Sequence, residues 1–471
     1  WPRNTSTMML FFSLGMPMES AFPGYGRWCE GYLRHLPLSW TTRMNTSEPV
    51  VATVRDDYNV WGYIEKEVAE KLPMKNLICR TDRSGTSFAI PEMRIQFNKV
   101  IKDDVPPSSL LAESWYQLPY LHLYILKCED MQTYRNHSKK KLKDWSEAMS
   151  ERGLEWLVVY LPLGYRSNVR LEGTSKTYKK LFEKVRSDLV ASKKGNFPET
   201  SSRNADDRCC RLDLFSDIPP EDQWEEFLLK LKEGIVATFE SRFMKYEEQT
   251  RQMISQRFIV GWNYFHFFLV KEAMAFVCDQ FSMLESALLC YDELDAVFWE
   301  QNPSMSFGIS QVSEATVNIF KLPGNNCRLR IRDSSISYVE FRCYLLSQQC
   351  RRLFGMKRPV EAAARALAEI NEIARDIEGR EVEKEVPPHS SHIFAYSAAN
   401  SVAVLCEDFL ADAEAKIGKE VREESWYIVL HALTAELLSS SRNRLESLGL
   451  ITGCLPVDVA GLLRPLPLKR E

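Results

Sequence analysis

An α/β amino-terminal domain followed by an all-α solenoid of irregular helix pairs is the fold class the sequence predicts, and three observations carry it. Short β-branched and aromatic runs alternate with helical periods up to about residue 220, the pattern of a layered structure with a partly parallel sheet. From Trp224 onward one helical period follows another. Between them in importance is the stretch from Trp262 to Trp299, WNYFHFFLVKEAMAFVCDQFSMLESALLCYDELDAVFW, which reads as two helices folded onto each other. A single pair cannot cover both apolar faces, so further pairs are expected to stack on it. The expected organisation is an irregular or disordered extension over 1–47, the α/β domain over 48–220, the solenoid over 221–450 and a Pro-rich tail over 451–471.

Residues 1–47 mix Pro, Gly, aromatic and Ser/Thr residues without a period. Met8 to Met16 resembles the apolar part of a signal peptide, but only Arg3 precedes it and no small-residue cleavage site follows, so an irregular leader is expected. Val50–Val54 is a β-branched run and Tyr58–Leu72 reads as a helix. Leu77–Cys79, Phe88–Phe97 and Leu118–Cys128 (LPYLHLYILKC) are expected strands. A helix over Tyr134–Met149, a buried strand over Leu154–Leu161, a helix over Thr177–Val190 and a strand over Cys209–Leu214 complete the alternation. Ser192–Asp207 is polar with Gly, Pro and Asn and is expected to be a surface loop.

In the helical part, Phe227, Leu228, Leu231, Ile235 and Phe239 mark the face of a helix from Trp224 to about Ile254. In the pair that follows, Phe265, Phe268, Leu269, Ala273, Phe276 and Val277 share one face, and Leu284, Ala287, Leu288, Tyr291, Leu294 and Phe298 share the other. Ser282 followed three residues later by Glu285 has the spacing of a capping box. Asn302–Asp333 reads as an insertion. A second pair joins the helix of Val339, Cys343, Leu346, Cys350 and Leu353 to that of Ala363, Ala366, Leu367, Ile370, Ile373 and Ile377, with GMKRP as the turn and Pro359 in the first helical turn. The third pair runs from Phe394 to Leu410 and from Trp426 to Leu437.

Composition narrows the function by exclusion. A formal net charge of -4, with 45% hydrophobic and 26% charged residues, gives no footprint of a nucleic-acid binder. Twelve scattered cysteines are not the framework of a small secreted domain, and a reducing, cytoplasmic compartment is expected. No apolar run of about 18 residues occurs, so membrane contact is expected to be peripheral. Gly173–Thr177, GTSKT, follows a strand and opens a helix as a phosphate loop does. Its Lys176 lies three residues past Gly173 and the first glycine of the motif is missing, so no nucleotide cofactor is expected. Asp292, Glu293 and Asp295 in YDELDA have no His, Cys or further carboxylate in sequence to complete a catalytic or metal site, and read as a solvated face or a partner contact. Cys209, Cys210, Cys343 and Cys350 lack CxxC spacing and are expected in the core. His389 and His392 sit in a Pro/Ser loop, His266 reads as a packed helix residue, and Lys139–Lys143 (KKKLK) as a solvated helix face.

The segment KEAMAFVCDQFSMLESALLCYDELDAVF, Lys271 to Phe298, resembles the signature of the trafficking protein particle (TRAPP) complex subunit 10 family, the large subunit specific to TRAPP II. RCYLLSQQCRRL (Arg342–Leu353) and RPVEAAARALAEI (Arg358–Ile370) resemble its next helix pair. VRDDYNVWGYIEKEVAEKLP (Val54–Pro73), PYLHLYILKCEDMQTYRN (Pro119–Asn136) and DWSEAMSERGLEWLVVYLP (Asp144–Pro162) resemble its amino-terminal region. The resemblance implies TPR-like helix pairs and a non-catalytic scaffold of a vesicle-tethering complex that activates Rab GTPases at the Golgi. It implies the other TRAPP subunits as partners, Rab through the assembled complex, and no catalytic residue. Two other classes stand beside it: a GTPase-like nucleotide-binding protein built on the α/β domain, and a TPR-like adaptor that binds extended peptides.

Overall fold

The computed structural model describes residues 48–80, 87–100, 118–128, 130–162, 174–191, 208–212, 220–301, 319–321, 324–384 and 386–451. The expected leader, the polar loop over 192–207 and the Pro-rich tail from 452 onward lie outside them. Two compact units are formed: one comprises Ser47–Gln252 with Phe276–Met283, the other Met253–Ala275 with the chain from Leu284 onward.

The first unit is built on five strands, β1 (Val50–Arg55), β4 (Ile95–Lys99), β5 (Leu121–Leu126), β6 (Trp156–Tyr160) and β7 (Cys209–Arg211), in the order β4-β1-β5-β6-β7. Every neighbouring pair is parallel. All six residues of β5 and all five of β6 are buried, as parallel strands covered on both faces must be. Register places Tyr124 beside Val158 and Val158 beside Cys209. That face meets helices α2 (Lys139–Glu151) and α3 (Thr174–Ala191) through Leu142, Trp145, Met149, Leu181, Val185 and Leu189. Trp145 fills the seam, 5.1 Å from the ring of Tyr124 and 5.9 Å from that of Trp156.

Several expected elements change. The single strand expected over Phe88–Phe97 is two strands: β3 (Ser87–Met93) pairs antiparallel with β2 (Met74–Arg80) in a separate sheet, and β4 joins β1. An unbroken β run cannot show that its halves serve different sheets. The helix expected over Tyr58–Leu72 shrinks to a 3₁₀ turn, Trp61–Tyr63, and α1 (Glu65–Glu70). Asp56 holds the preceding residues in a turn instead, its carboxylate accepting from the N–H groups of Tyr58 and Trp61 at 3.3 and 2.7 Å. Helix α2 is preceded by a short helical turn, Met131–Thr133, and by a π turn, Tyr134–Ser138.

The long helix α4 (Pro220–Ser255) belongs to the sheet unit as far as Gln252. Its side chains tie it to carbonyls at the amino ends of strands: Lys230 to Cys209 at 2.7 Å, Thr238 to Tyr120 at 2.6 Å, and Arg242 to Leu118 and Pro119 at 3.1 and 2.7 Å. Arg242 also stacks over the Tyr120 ring at 4.2 Å. Phe239 and Tyr120 both pack on Phe281.

The second unit is helix upon helix: α5 (Tyr264–Gln280, to Ala275), α6 (Leu284–Gln301), α7 (Gly324–Arg332), α8 (Tyr338–Gly355), α9 (Pro359–Val382), α10 (Ser390–Ile417) and α11 (Ser425–Ile451). Packing follows chain order, α6 on α8, α8 on α9, α9 on α10 and α10 on α11, as in a solenoid of irregular helix pairs. Phe341 of α8 is the wedge in the first layer, with rings of Phe265, Phe268 and Phe298 at 5.7, 5.1 and 5.2 Å. Helix α5 is buried on every side over residues 271–280 rather than on the one face expected, while His266 is exposed.

Turns were harder to foresee than helices. Ser282 is not the N-cap of a capping box: it stands at φ +56° as the left-handed residue that ends α5, with Met283 N–H donating to the Cys278 carbonyl at 2.9 Å and Ser282 N–H to that of Asp279 at 2.9 Å. Lys357 ends α8 the same way at φ +61°. The capping box lies at Ser337–Glu340, at the start of α8. The expected insertion 302–333 contains α7, whose Ile331 is fully buried. Helix α10 is long and apolar enough to cross a membrane, against the expectation of no such span. Its Phe394, Ala398, Val402, Cys406 and Phe409 are core residues and it packs between α9 and α11.

Candidate functional site

In an open parallel sheet the place for a ligand is the crevice at the carboxyl ends of two neighbouring strands whose connections leave in opposite directions. Here β1 leads toward β4 and β5 toward β6, so the crevice lies past Arg55 and Leu126. Its groups are Asp56, Asp57 and Tyr58 on one side and Lys127, Cys128 and Asp130 on the other. Each carboxylate among these described residues is already engaged. Asp56 holds the turn described above, and Asp57 accepts from the Tyr124 hydroxyl at 3.1 Å and from Arg55 at 3.2 Å. Asp130 caps the following helical turn, accepting from the N–H groups of Gln132 and Thr133 at 2.8 and 2.7 Å. Those amides are the donors a phosphate would need. The Thr133 N–H and hydroxyl hold the Asp130 carboxyl below its ordinary range. A crevice of carboxylates with its helix start self-capped does not fit a nucleotide phosphate. Of GTSKT, Gly173 lies outside the described residues and Thr174 is the first residue of α3.

Among the described residues, His122 and the buried cysteines are held by burial in their neutral forms. His122, on β5, shares a hydrogen bond of 2.7 Å between its Nδ1 and the Thr53 hydroxyl. Burial, then the charges of Arg242 and Arg152, push its pKa down to about 4, so the ring is neutral at pH 7. The cysteine thiols are pushed the other way by burial, Cys327 to about 11 and Cys209, Cys350 and Cys406 to about 12. A thiol raised that far is a packing group and not a nucleophile.

The acidic group on α6 is partly covered by its neighbours. Asp292 accepts from Gln349 of α8 at 3.0 Å and from Arg365 of α9 at 2.5 Å. Burial, followed by the charge of Glu369, raises Asp295 to about 6, against the lowering by Arg342, Gln349 and Arg365. Glu293 is exposed and paired with Lys271 at 2.5 Å. Helical periodicity had shown Asp292 and Asp295 on one side; what lay opposite them could not be read from the sequence.

Sequence reasoning missed the charged seams that hold these helices. Glu272, fully buried, accepts from the hydroxyls of Tyr291 (3.2 Å) and Tyr344 and pairs with Arg328 at 3.2 Å. Arg342 of α8 is buried, pairs with Glu369 at 2.5 Å and stacks over Trp299 at 4.3 Å. The only cue was a charge inside a continuous apolar helix, KEAMAF, a position that a buried carboxylate can hold only with partners. Among the described residues no group of His, Cys, Asp or Glu is placed to hold a metal ion. His389 and His392 are partly exposed at the start of α10.

Comparison with known proteins places this architecture. Residues 44–257 match the family model described as "Trafficking protein particle complex subunit 10-like, N-terminal". The chain is 27% identical over 405 residues to trafficking protein particle complex subunit 10 of Dictyostelium discoideum, covering 78% of this chain and 27% of that protein. It is 27% identical over 343 residues to the trafficking protein particle complex II-specific subunit 130 homolog of Arabidopsis thaliana, covering 71% and 25%. With human trafficking protein particle complex subunit 10 the identity is 25% over 422 residues, covering 86% and 31%. The chain thus spans between a quarter and a third of the length of these curated relatives. The resemblance read from the helix pairs and from the amino-terminal segments is matched by these comparisons: residues 44–257 are similar to the trafficking protein particle complex subunit 10-like amino-terminal domain, and the relatives extend the similarity over most of the chain.

Proposed function

We propose that this chain is a non-catalytic scaffold subunit of a TRAPP II-type tethering complex, acting in the cytoplasm on the surface of Golgi membranes, where the assembled complex exchanges nucleotide on a Rab GTPase. The observation that carries the reading is the family match over residues 44–257, extended by relatives over most of the chain. Two structural observations support it: the carboxylates of Asp57 and Asp130 at the switch-point crevice are bonded within the chain, and the helical unit is a stack of packed pairs. Partners are other TRAPP subunits, with Rab engaged through the complex and no nucleic acid. Asp292, Glu293 and Asp295 are the partner contact on α6, with Glu293 its most exposed member.

Affinity purification of the tagged chain from its own cells tests the reading, with the co-purifying proteins identified and Rab exchange assayed on the eluate. Recovery of TRAPP core subunits together with exchange activity is the expected result. A chain that comes out without any TRAPP subunit removes the proposal, and specific GTP binding by the purified chain would restore the GTPase-like alternative.

A further inference from the structure

Past Ser255 the chain makes a tight knuckle before α5 begins, and its tip is apolar. Phe258 is 79% exposed, Ile259 63% and Val260 101%. These are consecutive residues, unlike the scattered apolar side chains that any surface carries. The knuckle is held by its own bonds: Ile259 N–H donates to the Gln256 carbonyl at 2.9 Å, Trp262 N–H to that of Ile259 at 3.1 Å, and the Trp262 indole to that of Met253 at 2.8 Å. Gly261, at φ +92°, supplies the turn that an L side chain would resist. The tip is therefore presented in one shape, and little ordering entropy is lost when something closes over it.

Charge decides what that something is. Between Gln256 and Asn263 the one charged residue is Arg257. It is committed to the knuckle, stacked over the Phe258 ring at 4.5 Å, bonded to the Ile254 carbonyl at 3.4 Å and paired with Glu300 at 3.4 Å. An anionic bilayer or a nucleic acid is met by unpaired cations; a neutral, rigid aromatic and aliphatic anchor is what a pocket on a protein receives. We propose that Phe258, Ile259 and Val260 form a plug that seats in an apolar pocket on another protein subunit, which the reading above makes a subunit of the same TRAPP complex. The inference rests on that reading.

The test is the full chain carrying Phe258→Ser, Ile259→Ser and Val260→Ser, compared with wild type for binding to each purified TRAPP subunit of the same organism and to the reconstituted core. A second variant, Val260→Asp alone, and the melting temperature of both control for folding. The expected result is affinity for one subunit weakened about tenfold or more with the melting temperature unchanged. Wild-type affinity in both variants overturns the plug while leaving the scaffold reading intact. A wild-type chain that binds no TRAPP subunit overturns both. Binding of the wild type, but not the variants, to phosphatidylcholine vesicles with or without phosphatidylserine overturns the plug in favour of a membrane anchor.

Discussion

The two units differ in how their helices are tied to their neighbours. In the sheet unit α4 is tied to backbone: its Lys230, Thr238 and Arg242 reach carbonyls at the amino ends of strands, as the Tyr160 hydroxyl reaches that of Cys128. Arg208 with Glu155 is its buried ion pair, at 3.0 Å. In the helical unit ion pairs join side chains on different helices: Glu272 with Arg328, Arg342 with Glu369, Asp292 with Arg365. The reason lies in the elements. Backbone groups at the ends of a strand lie beyond the ladder and need other partners, whereas a helix satisfies its own interior backbone and meets its neighbours mainly through side chains. Buried pairs of this kind fix which helix meets which and at what height, a role in specificity more than in net stability.

The largest expected effect separates those two roles. Glu272→Ala leaves Arg328 buried without its carboxylate and should lower stability by about 3–5 kcal/mol, read by denaturant unfolding followed by circular dichroism. Replacing both partners, Glu272→Leu with Arg328→Met, should recover most of that loss because no charge is stranded. A double variant as unstable as the single one would show that the pair holds the stack by its energy and not by its register.

Ordinary packing should not distinguish the units at all. Leu288 of α6 and Leu181 of α3 are both buried, and each change to Ala should cost about 2–5 kcal/mol. The melting temperature of each variant is the measurement, and an unchanged melt for Leu288→Ala would mean that the apolar face of α6 has been misassigned. The face of α6 that carries Leu288 was legible in the sequence because helical periodicity tracks burial. Strands β1, β5 and β6 and the pairs α5–α6, α8–α9 and α10–α11 were legible for the same reason. What was not legible depends on partners distant in sequence: that Ser87–Met93 and Ile95–Lys99 serve different sheets, that the polar NNCRLRIR is a helix because Glu272 and Glu340 receive Arg328 and Arg330, and that Asp292 faces Arg365.

Acid should pull the units in opposite directions. His122 has a folded pKa near 4 against an ordinary 6.5, so the unfolded chain binds the proton more readily between those values. Stability from this group is complete above about pH 6.5 and is lost as pH falls through that window, by roughly 3 kcal/mol in all. Asp295 has a folded pKa near 6 against an ordinary 3.8, so here the folded chain binds the proton more readily. Its contribution is present below about pH 3.8 and is lost as pH rises toward 6, by about 2 kcal/mol after allowance for partial solvation. Hydrogen exchange measured segment by segment between pH 4 and 6.5 should show β5 loosening and α6 tightening relative to wild-type behaviour at neutral pH. His122→Phe should flatten the first trend and Asp295→Asn the second; a slope that survives its own substitution belongs to other groups.

The smallest effect asks whether a helix start matters where tertiary packing is dense. Ser337 and Glu340 form the reciprocal cap of α8, the Glu340 carboxylate accepting from the Ser337 N–H at 3.3 Å and the Ser337 hydroxyl accepting from the Glu340 N–H at 3.3 Å. Ser337→Ala removes one half and should cost about 1 kcal/mol, seen as a small fall in melting temperature with the same unfolding cooperativity. Glu340 is also bound by Arg330 of α7 at 2.6 Å, so Glu340→Ala loses the cap and the link between two helices and should cost more than Ser337→Ala. If the two substitutions cost the same, the Arg330 pair contributes nothing measurable and α7 is held by Ile331 and its apolar contacts alone. If Glu340→Ala costs clearly more, the cap and the ion pair act together, and the side-chain seams that mark the helical unit extend to the way its helices begin.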